Sequence, residues 1–213
     1  MNYEDLNHEP LLIVVSSPSG AGKTSVCREI LKNNDSIQIS ISATTRKPRQ
    51  NEVNGVDYNF ISRDDFQKKI QDSQFLEYAE VFDNFYGSLS KDVEKITKSK
   101  KDVLFDIDWQ GTQQLYQSKP NNLVSIFILP PSKDEIENRL RQRKVDSGDD
   151  ESIINQRMSK FKDEISHWVE YDYVVINNNL DTCVDEILNI ISVERKKRHR
   201  QIDLVDKVRE LTS

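Results

Sequence analysis

The sequence predicts an α/β protein built on a five-stranded parallel sheet with helices on both faces. Three observations predict it. First, the apolar run Leu11-Leu12-Ile13-Val14-Val15 leads straight into Ser16-Ser17-Pro18-Ser19-Gly20-Ala21-Gly22-Lys23-Thr24, a strand, a glycine-containing loop and a helix start, which is the pattern of a phosphate-binding P-loop. Second, five short segments rich in β-branched residues read as buried strands: 11–16, 37–42, 103–107, 124–129 and 173–176. Third, helical patterns at 23–32, 110–117, 133–143, 150–168 and 182–200 alternate with those strands, which argues for βαβ units. In the last helix Val184, Ile187, Leu188 and Ile191 form a core-facing stripe.

Each residue type in the loop has a physical role. Gly20 and Gly22 permit backbone conformations closed to other residues and let N–H groups approach phosphate oxygens. The helix that follows points its partial positive end at the same place. Lys23 supplies a mobile point charge for the β- and γ-phosphates, and Thr24 offers a hydroxyl to Mg²⁺. Ser17 stands where the pattern usually has glycine. Where only a tight turn is needed that change is small, so binding is expected to survive it.

Composition narrows the class. A chain of 213 residues suits one α/β domain with insertions, or at most two small domains. A net charge of −6 argues against broad nucleic-acid binding, which needs a basic face. The two cysteines, Cys27 and Cys183, have no metal-ligand spacing and are too few for a disulfide scaffold, so they read as reduced, partly buried thiols of a cytoplasmic protein. The acidic, polar start at 1–9 is no signal peptide, and no apolar run approaches the ~20 residues of a membrane span.

The stretch 43–100 breaks the βαβ rhythm. Asn54-Gly55, Asp83-Asn84, Tyr86-Gly87 and the alternating segments 56–61 and 75–81 predict a small insertion with antiparallel strands and hairpin turns. The charged run 141–150 reads as a surface loop between two helices, and so as a lid. The basic run 194–200 reads as a solvated helix end, and both chain ends read as flexible.

Within the insertion lies a second cluster. Arg46 and Arg49 flank Lys47-Pro48, and two guanidinium forks at that spacing can converge on one dianion. Tyr58 and Tyr86 can add hydroxyl donors. Glu77 is an isolated carboxylate within Phe75-Leu76-Glu77-Tyr78. A carboxylate matches the adjacent N1–H and N2–H₂ donors of guanine. Adenine would leave it underpaired, at the cost of a buried unsatisfied charge.

Taken together these blocks resemble the guanylate kinases, from about Pro10 to about Arg200. The most specific are Ser42-Ala43-Thr44-Thr45-Arg46-Lys47-Pro48-Arg49, Gly55-Val56-Asp57-Tyr58-Asn59-Phe60, Tyr86-Gly87-Ser88, Asp106-Ile107-Asp108-Trp109-Gln110-Gly111 and the run Glu170-Tyr171-Asp172-Tyr173-Val174-Val175-Ile176-Asn177. The resemblance implies a P-loop NTPase-type three-layer fold with a small mixed α/β GMP-binding insertion and a helical lid. It implies a domain over 10–192, with a core of 10–42, 101–140 and 159–200, the insertion at 43–100, the lid at 141–158 and extensions at 1–9 and 201–213. It implies transfer of the γ-phosphoryl of ATP to GMP and dGMP, with Mg²⁺ and ATP as donor, in purine nucleotide recycling. Ser17, Pro18, Ser19, Gly20, Ala21, Gly22, Lys23 and Thr24 would then hold ATP, with Asn177 near its adenine. Arg46, Arg49, Tyr58 and Tyr86 would hold the GMP phosphate, and Ser42, Glu77, Ser88 and Asp108 would surround the guanine. Lys23, Arg46, Arg139, Arg143 and Arg157 would be the catalytic cations. Thr24 would meet the metal directly and Asp106 through water. Lys144 follows Arg143 where the family often has glycine, which bears on the path of the lid.

The implied chemistry is positioning and charge neutralisation, with no general base, because a GMP phosphate oxygen is already anionic. Closure of the insertion and lid over the P-loop is expected, to exclude water. Three rivals are weighed. A guanylate-kinase-like binding module for phosphorylated peptides has no need of Gly22-Lys23-Thr24 or lid arginines. A kinase of the same fold with another acceptor has no use for Glu77 beside Ser42 and Ser88. A regulatory P-loop GTPase needs a guanine-reading Asn-Lys-x-Asp segment, and Asn177-Asn178-Asn179 does not serve. The partners expected are ATP and GMP, without nucleic acid or membrane; the oligomeric state stays open, a homodimer included.

Overall fold

The computed structural model describes residues 7–32, 34–49, 51–81, 83–118, 121–147 and 151–213, apart from the side chains of residues 140, 142–147 and 151–157. The chain runs β1 (Leu12–Ser16), α1 (Lys23–Lys32), β2 (Ile37–Ile39), β3 (Ala43–Thr44), β4 (Asn59–Phe60), α2 (Arg63–Gln71), β5 (Phe75–Val81), β6 (Asn84–Leu89), α3 (Ser90–Lys98) and β7 (Asp102–Asp106). It continues through α4 (Trp109–Ser118), β8 (Leu123–Leu129), α5 (Lys133–Ser147), α6 (Glu151–Ser166), β9 (Tyr173–Ile176), α7 (Leu180–Arg195) and α8 (Leu204–Thr212).

The main sheet has the order β2-β7-β1-β8-β9, and its pairings are parallel. Because β1 is buried on both faces it is apolar up to its last residue, Ser16, and its side chains alternate between two cores. Ile13 and Val15 join Val26, Cys27 and Ile30 of α1 and Cys183, Val184, Ile187 and Ile191 of α7. Leu12 and Val14 join Val93 and Ile96 of α3, Leu115 of α4 and Tyr171. Both thiols are buried and free. Burial pushes Cys27 up and Cys183 up to about 11, so neither is a ready nucleophile.

Pairing of Val15 with Asp106 sets the C-terminal ends of β1 and β7 side by side, where open α/β sheets place ligands. A second, four-stranded sheet has the order β4-β3-β6-β5, and its β5 packs against α4. It is mixed, since β3 runs parallel to β4 and antiparallel to β6. Its hydrophobic side stacks Phe66 of α2 against Phe75 and Phe85.

Several expectations need correction. The predicted strand 37–42 is shorter, ending at Ile39, where the chain leaves the main sheet before starting the second at Ala43. Two helices lie in the stretch read as hairpins: α2, whose N-terminus is capped by Ser62 accepting from the Asp65 amide at 3.0 Å, and α3. Tyr86 and Gly87 are not a turn but the middle of β6, and a Cβ at Gly87 would crowd Phe75, Tyr78 and the Glu77 carbonyl at 2.9 Å each. Helix α5 continues to Ser147 rather than yielding to a loop at 141, consistent with the absence of glycine or proline from 133 to 147.

The basic run at the end of α7 is only in part a solvated helix end: Lys196, Lys197, Arg198 and His199 are exposed, but Arg195 and Arg200 turn inward. The helix stops at Arg195, and a short 3₁₀ turn, Arg198–Arg200, folds back under the sheet. Arg195 pairs with buried Asp102, which also accepts from the Leu11 amide at 2.8 Å. Arg200 is 4% exposed, pairs with buried Glu194 and donates to the carbonyls of Asn121 and Leu123. The N-terminal segment is tied here too, through Asn7 to Asp203 and the Glu9 amide to the Arg200 carbonyl. Arg200→Ala removes one partner of the Glu194 carboxylate, which keeps Lys197 at 2.7 Å and the Tyr173 hydroxyl, so it should destabilise the fold by about 1–3 kcal/mol. An unmoved urea midpoint would show the pair to be dispensable.

Candidate functional site

The phosphate loop takes its shape from two glycines. Gly20 at φ 90° and Gly22 at φ 97° sit in the left-handed region, which other residues reach only with strain. The Ala21 carbonyl between them accepts from Asn177 Nδ2 at 2.8 Å and from an Arg139 guanidinium nitrogen at 3.4 Å. On the other side the Ser19 amide donates to Glu164 Oε2 at 2.8 Å. Asn177, expected near an adenine, thus holds the loop's backbone and is 5% exposed.

At the head of α1, Lys23 Nζ lies 2.7 Å from Asp106 Oδ1 and donates to the Ile107 carbonyl at 2.7 Å. Thr24 Oγ1 donates to Asp106 Oδ2 at 3.1 Å. Burial works against the Lys23 charge, but the adjoining Asp106 carboxylate outweighs it and pushes the pKa up. The ammonium is therefore permanent at any physiological pH. Lysine, hydroxyl and carboxylate converge at the junction of β1, β7 and α1.

The second cluster forms on the second sheet. Arg46 makes a two-pronged contact with Glu52, at 2.8 and 2.9 Å, and lies 5.3 Å from the Tyr58 ring centre. The Arg49 amide donates to the same carboxylate at 2.8 Å, and its guanidinium stands 3.8 Å away. Burial disfavours the Arg46 charge, yet Glu52 and the Tyr86 oxygen push its pKa up. Tyr58 meets Tyr86 edge to face at 5.9 Å. Two arginines and two phenols are therefore gathered on one spot, with a carboxylate between the guanidinium groups.

Glu77 owes its direction to a β-bulge. The β5–β6 register shifts between Phe75 and Glu77, which turns Glu77 inward opposite Ser88. The carboxylate is 3% exposed and accepts from Ser88 Oγ at 2.6 Å. Burial, with the nearby charge of Asp108, raises its pKa to about 7 against the pull of Ser88. Gly111 is required beside it, because a Cβ there would overlap the Glu77 carboxylate. Asp108 accepts from the Gly111 amide at 3.1 Å and so starts α4. Ser42 is buried at the edge of β3, and its carbonyl accepts from the Asn59 amide at 2.9 Å. Lys23 lies within electrostatic reach of both Tyr58 and Glu77, so the two clusters are neighbours.

The Arg143 and Arg157 side chains lie outside the described residues. Among those described, Glu52 and Glu164 were not singled out as site residues. Glu52 left a trace, an acid six residues after Arg46 and three after Arg49 in a basic stretch. Glu164 left none, since one acid on a polar helix face looks like any other.

Comparison with known proteins agrees with this arrangement. The sequence model described as guanylate kinase matches residues 9–194. The chain is 50% identical over 201 residues to the guanylate kinase of Paramagnetospirillum magneticum, covering 94% of this chain and 92% of that one. It is likewise 50% identical over 201 residues to the guanylate kinase of Zymomonas mobilis, with the same coverage. The crystal structure of guanylate kinase from Anaplasma phagocytophilum superposes with a TM-score of 0.80 at 34% identity, covering 95% of both chains. A P-loop core, a carboxylate-bearing insertion and near-complete matches of sequence and fold lead to one assignment: the chain belongs to the guanylate kinase family.

Proposed function

We propose that this chain transfers the γ-phosphoryl of ATP to GMP, and to dGMP, giving ADP and GDP. The observation that carries the reading is Glu77: a buried carboxylate, turned inward by a bulge and steadied by Ser88, within electrostatic reach of Lys23. Nothing in the packing of β5 calls for a charge there, and the guanine N1–H and N2–H₂ pair would satisfy it. Ser42, Ser88 and Asp108 supply the remaining polar edge around the base.

The loop at 17–22 with Lys23 and Thr24 would take the ATP phosphates. Arg46, Arg49, Tyr58 and Tyr86 would take the GMP phosphate. Glu52 then has a definite role, since it keeps the two guanidinium groups in place before the dianion arrives and so reduces the ordering needed on binding. Arg139, on the loop's Ala21 carbonyl, stands where a further cation can face the transferred group. We extend the cation set to Arg143 and Arg157. ATP brings about four negative charges and GMP about two. Gathering cations against them, in line, is the main catalytic effect open to a protein here.

The Thr24 hydroxyl and the Asp106 carboxylate are hard oxygen donors, and the described residues hold no cluster of three or more His, Cys, Asp or Glu. That donor set fits Mg²⁺ carried on a nucleotide, which takes one or two protein oxygens and completes its shell with phosphate and water. The ion would neutralise phosphate charge. Lys23 remains charged throughout, Thr24 and Asp106 orient it, and no side chain is asked to remove a proton from GMP.

Among the described residues no helix is long and apolar enough to cross a membrane. We assign the enzyme to the cytoplasm, where both nucleotides occur and two free buried thiols stay reduced.

The test is a coupled assay of ADP release from Mg·ATP with GMP, AMP, UMP and CMP offered in turn. Turnover with GMP far above the others is the expected result. Tight GMP binding without turnover on any acceptor would replace this reading with that of a binding module. Gly111→Ala, which crowds Glu77, should raise KM for GMP about tenfold with KM for ATP little changed, by loss of about one charge-assisted hydrogen bond. Equal changes in both constants would place Gly111 outside base recognition.

A further inference from the structure

The phosphate loop already holds an anion of the protein's own. Glu164 lies near the C-terminal end of α6, 145 residues along the chain from Ser19, and its Oε2 accepts from the Ser19 amide at 2.8 Å. The Ala21 carbonyl is meanwhile held by two donors, Asn177 and Arg139. A phosphate loop works by presenting backbone amides to phosphate oxygens. A carboxylate oxygen on one of those amides therefore occupies the kind of contact that a phosphate would make. We propose that Glu164 is a positioning residue, an internal anion that keeps the empty loop in its cradle shape and yields the Ser19 amide to a phosphate of the incoming ATP. The proposal rests on the reading that the loop at 17–22 with Lys23 takes phosphates.

Two further observations support it. Burial raises the Glu164 pKa and Asp108 adds to the rise, while the Ser19 amide, Lys23 and Lys160 oppose it without cancelling it. The contact is thus one that stronger anion binding can displace at modest cost. In addition, Gly20 and Gly22 hold positive φ and carry no side chains, so hydrogen bonds from outside join the packing of Ala21 in setting the loop's shape when no nucleotide is present. Glu164 stabilises the free loop and competes with the donor nucleotide, so its charge and its acceptor have opposite effects on binding.

That opposition separates the proposal from an ordinary structural role. Glu164→Gln keeps a hydrogen-bond acceptor and removes the charge, so Mg·ATP should bind about 3–10-fold more tightly by calorimetry, the difference between displacing a charged and a neutral partner. KM for GMP should stay within about twofold. Glu164→Ala removes the acceptor as well. In that variant the Ser19 amide should exchange hydrogen faster than in the wild type without nucleotide, and at the wild-type rate with Mg·ATP bound. Unchanged or weaker Mg·ATP binding in the glutamine variant, beside a wild type that binds it, overturns the proposal while leaving the P-loop reading intact. A wild type that binds no Mg·ATP overturns both. If Glu164→Ala fails to fold, the glutamine titration alone decides.

Discussion

Replacing Lys23 by methionine should lower kcat by about 10²–10³-fold, the loss seen when one preorganised charge is removed from a developing anion. The side chain is fixed at its tip by Asp106 and the Ile107 carbonyl, both at 2.7 Å, so it is held in place before any nucleotide arrives. Methionine copies the length and flexibility of the stem, which keeps packing effects small. Lys23→Arg should not restore the rate, because a planar fork cannot occupy the tight corner that a point charge fills between Asp106 and Ile107. Since Asp106 holds the ammonium charged, any alkaline fall in activity belongs to another group. Rapid-quench measurement of ADP formation separates the chemical step from ATP affinity. A kcat within about threefold of wild type would take Lys23 out of transition-state stabilisation.

Glu77→Gln should lower kcat/KM for GMP by about 10³-fold and erase most of the preference for GMP over AMP. The variant turns a donor toward guanine's donors, and sites built on buried polar pairing discriminate at that scale. The pH dependence gives an independent reading. With its pKa raised to about 7, Glu77 is partly protonated in the free enzyme near neutrality. GMP needs the carboxylate, so KM for GMP should fall as pH rises through about 7 while kcat stays flat. The GMP phosphate, with a second pKa of about 6, titrates nearby in both enzymes. The comparison is therefore proton release on GMP binding, wild type against Glu77→Gln, by calorimetry in two buffers of different ionisation enthalpy. Equal release by the two proteins would dissociate Glu77 from the base.

Stability should respond in step. A raised pKa means that the folded protein binds the Glu77 proton more tightly than the unfolded chain does. The stabilisation is complete below the ordinary value of 4.5 and lost as pH rises through about 7. Glu77→Gln should consequently gain Tm relative to the wild type at pH 8 and show no such gain at pH 4.

Contiguous signals were legible in the sequence. The P-loop declares itself because strand, turn and helix follow one another within a few residues, and each residue type is required by its local backbone. The five strands of the main sheet were readable for the same reason, as short runs rich in β-branched and apolar residues. The arginines and tyrosines of the insertion were visible as an unusual composition. Helices α2 and α3 were missed because the turn signals around them dominated. Within the basic run at 194–200, Arg195 and Arg200 were misjudged because charge alone does not tell a solvated arginine from one that pairs with Asp102 or Glu194.

The sequence by itself therefore determined the fold class, the phosphate loop and the chemical character of the second cluster, all of which depend on neighbours along the chain. The tertiary structure alone decided which charges meet. It set Lys23 and Thr24 on Asp106, 82 residues from Thr24, because parallel pairing aligns the ends of β1 and β7. It turned Glu77 inward through a bulge whose position depends on the partner strand, and it brought Glu164 from α6 to the Ser19 amide. Such contacts follow from strand register and helix docking, which are properties of the packed whole and leave no periodicity in the residues that make them.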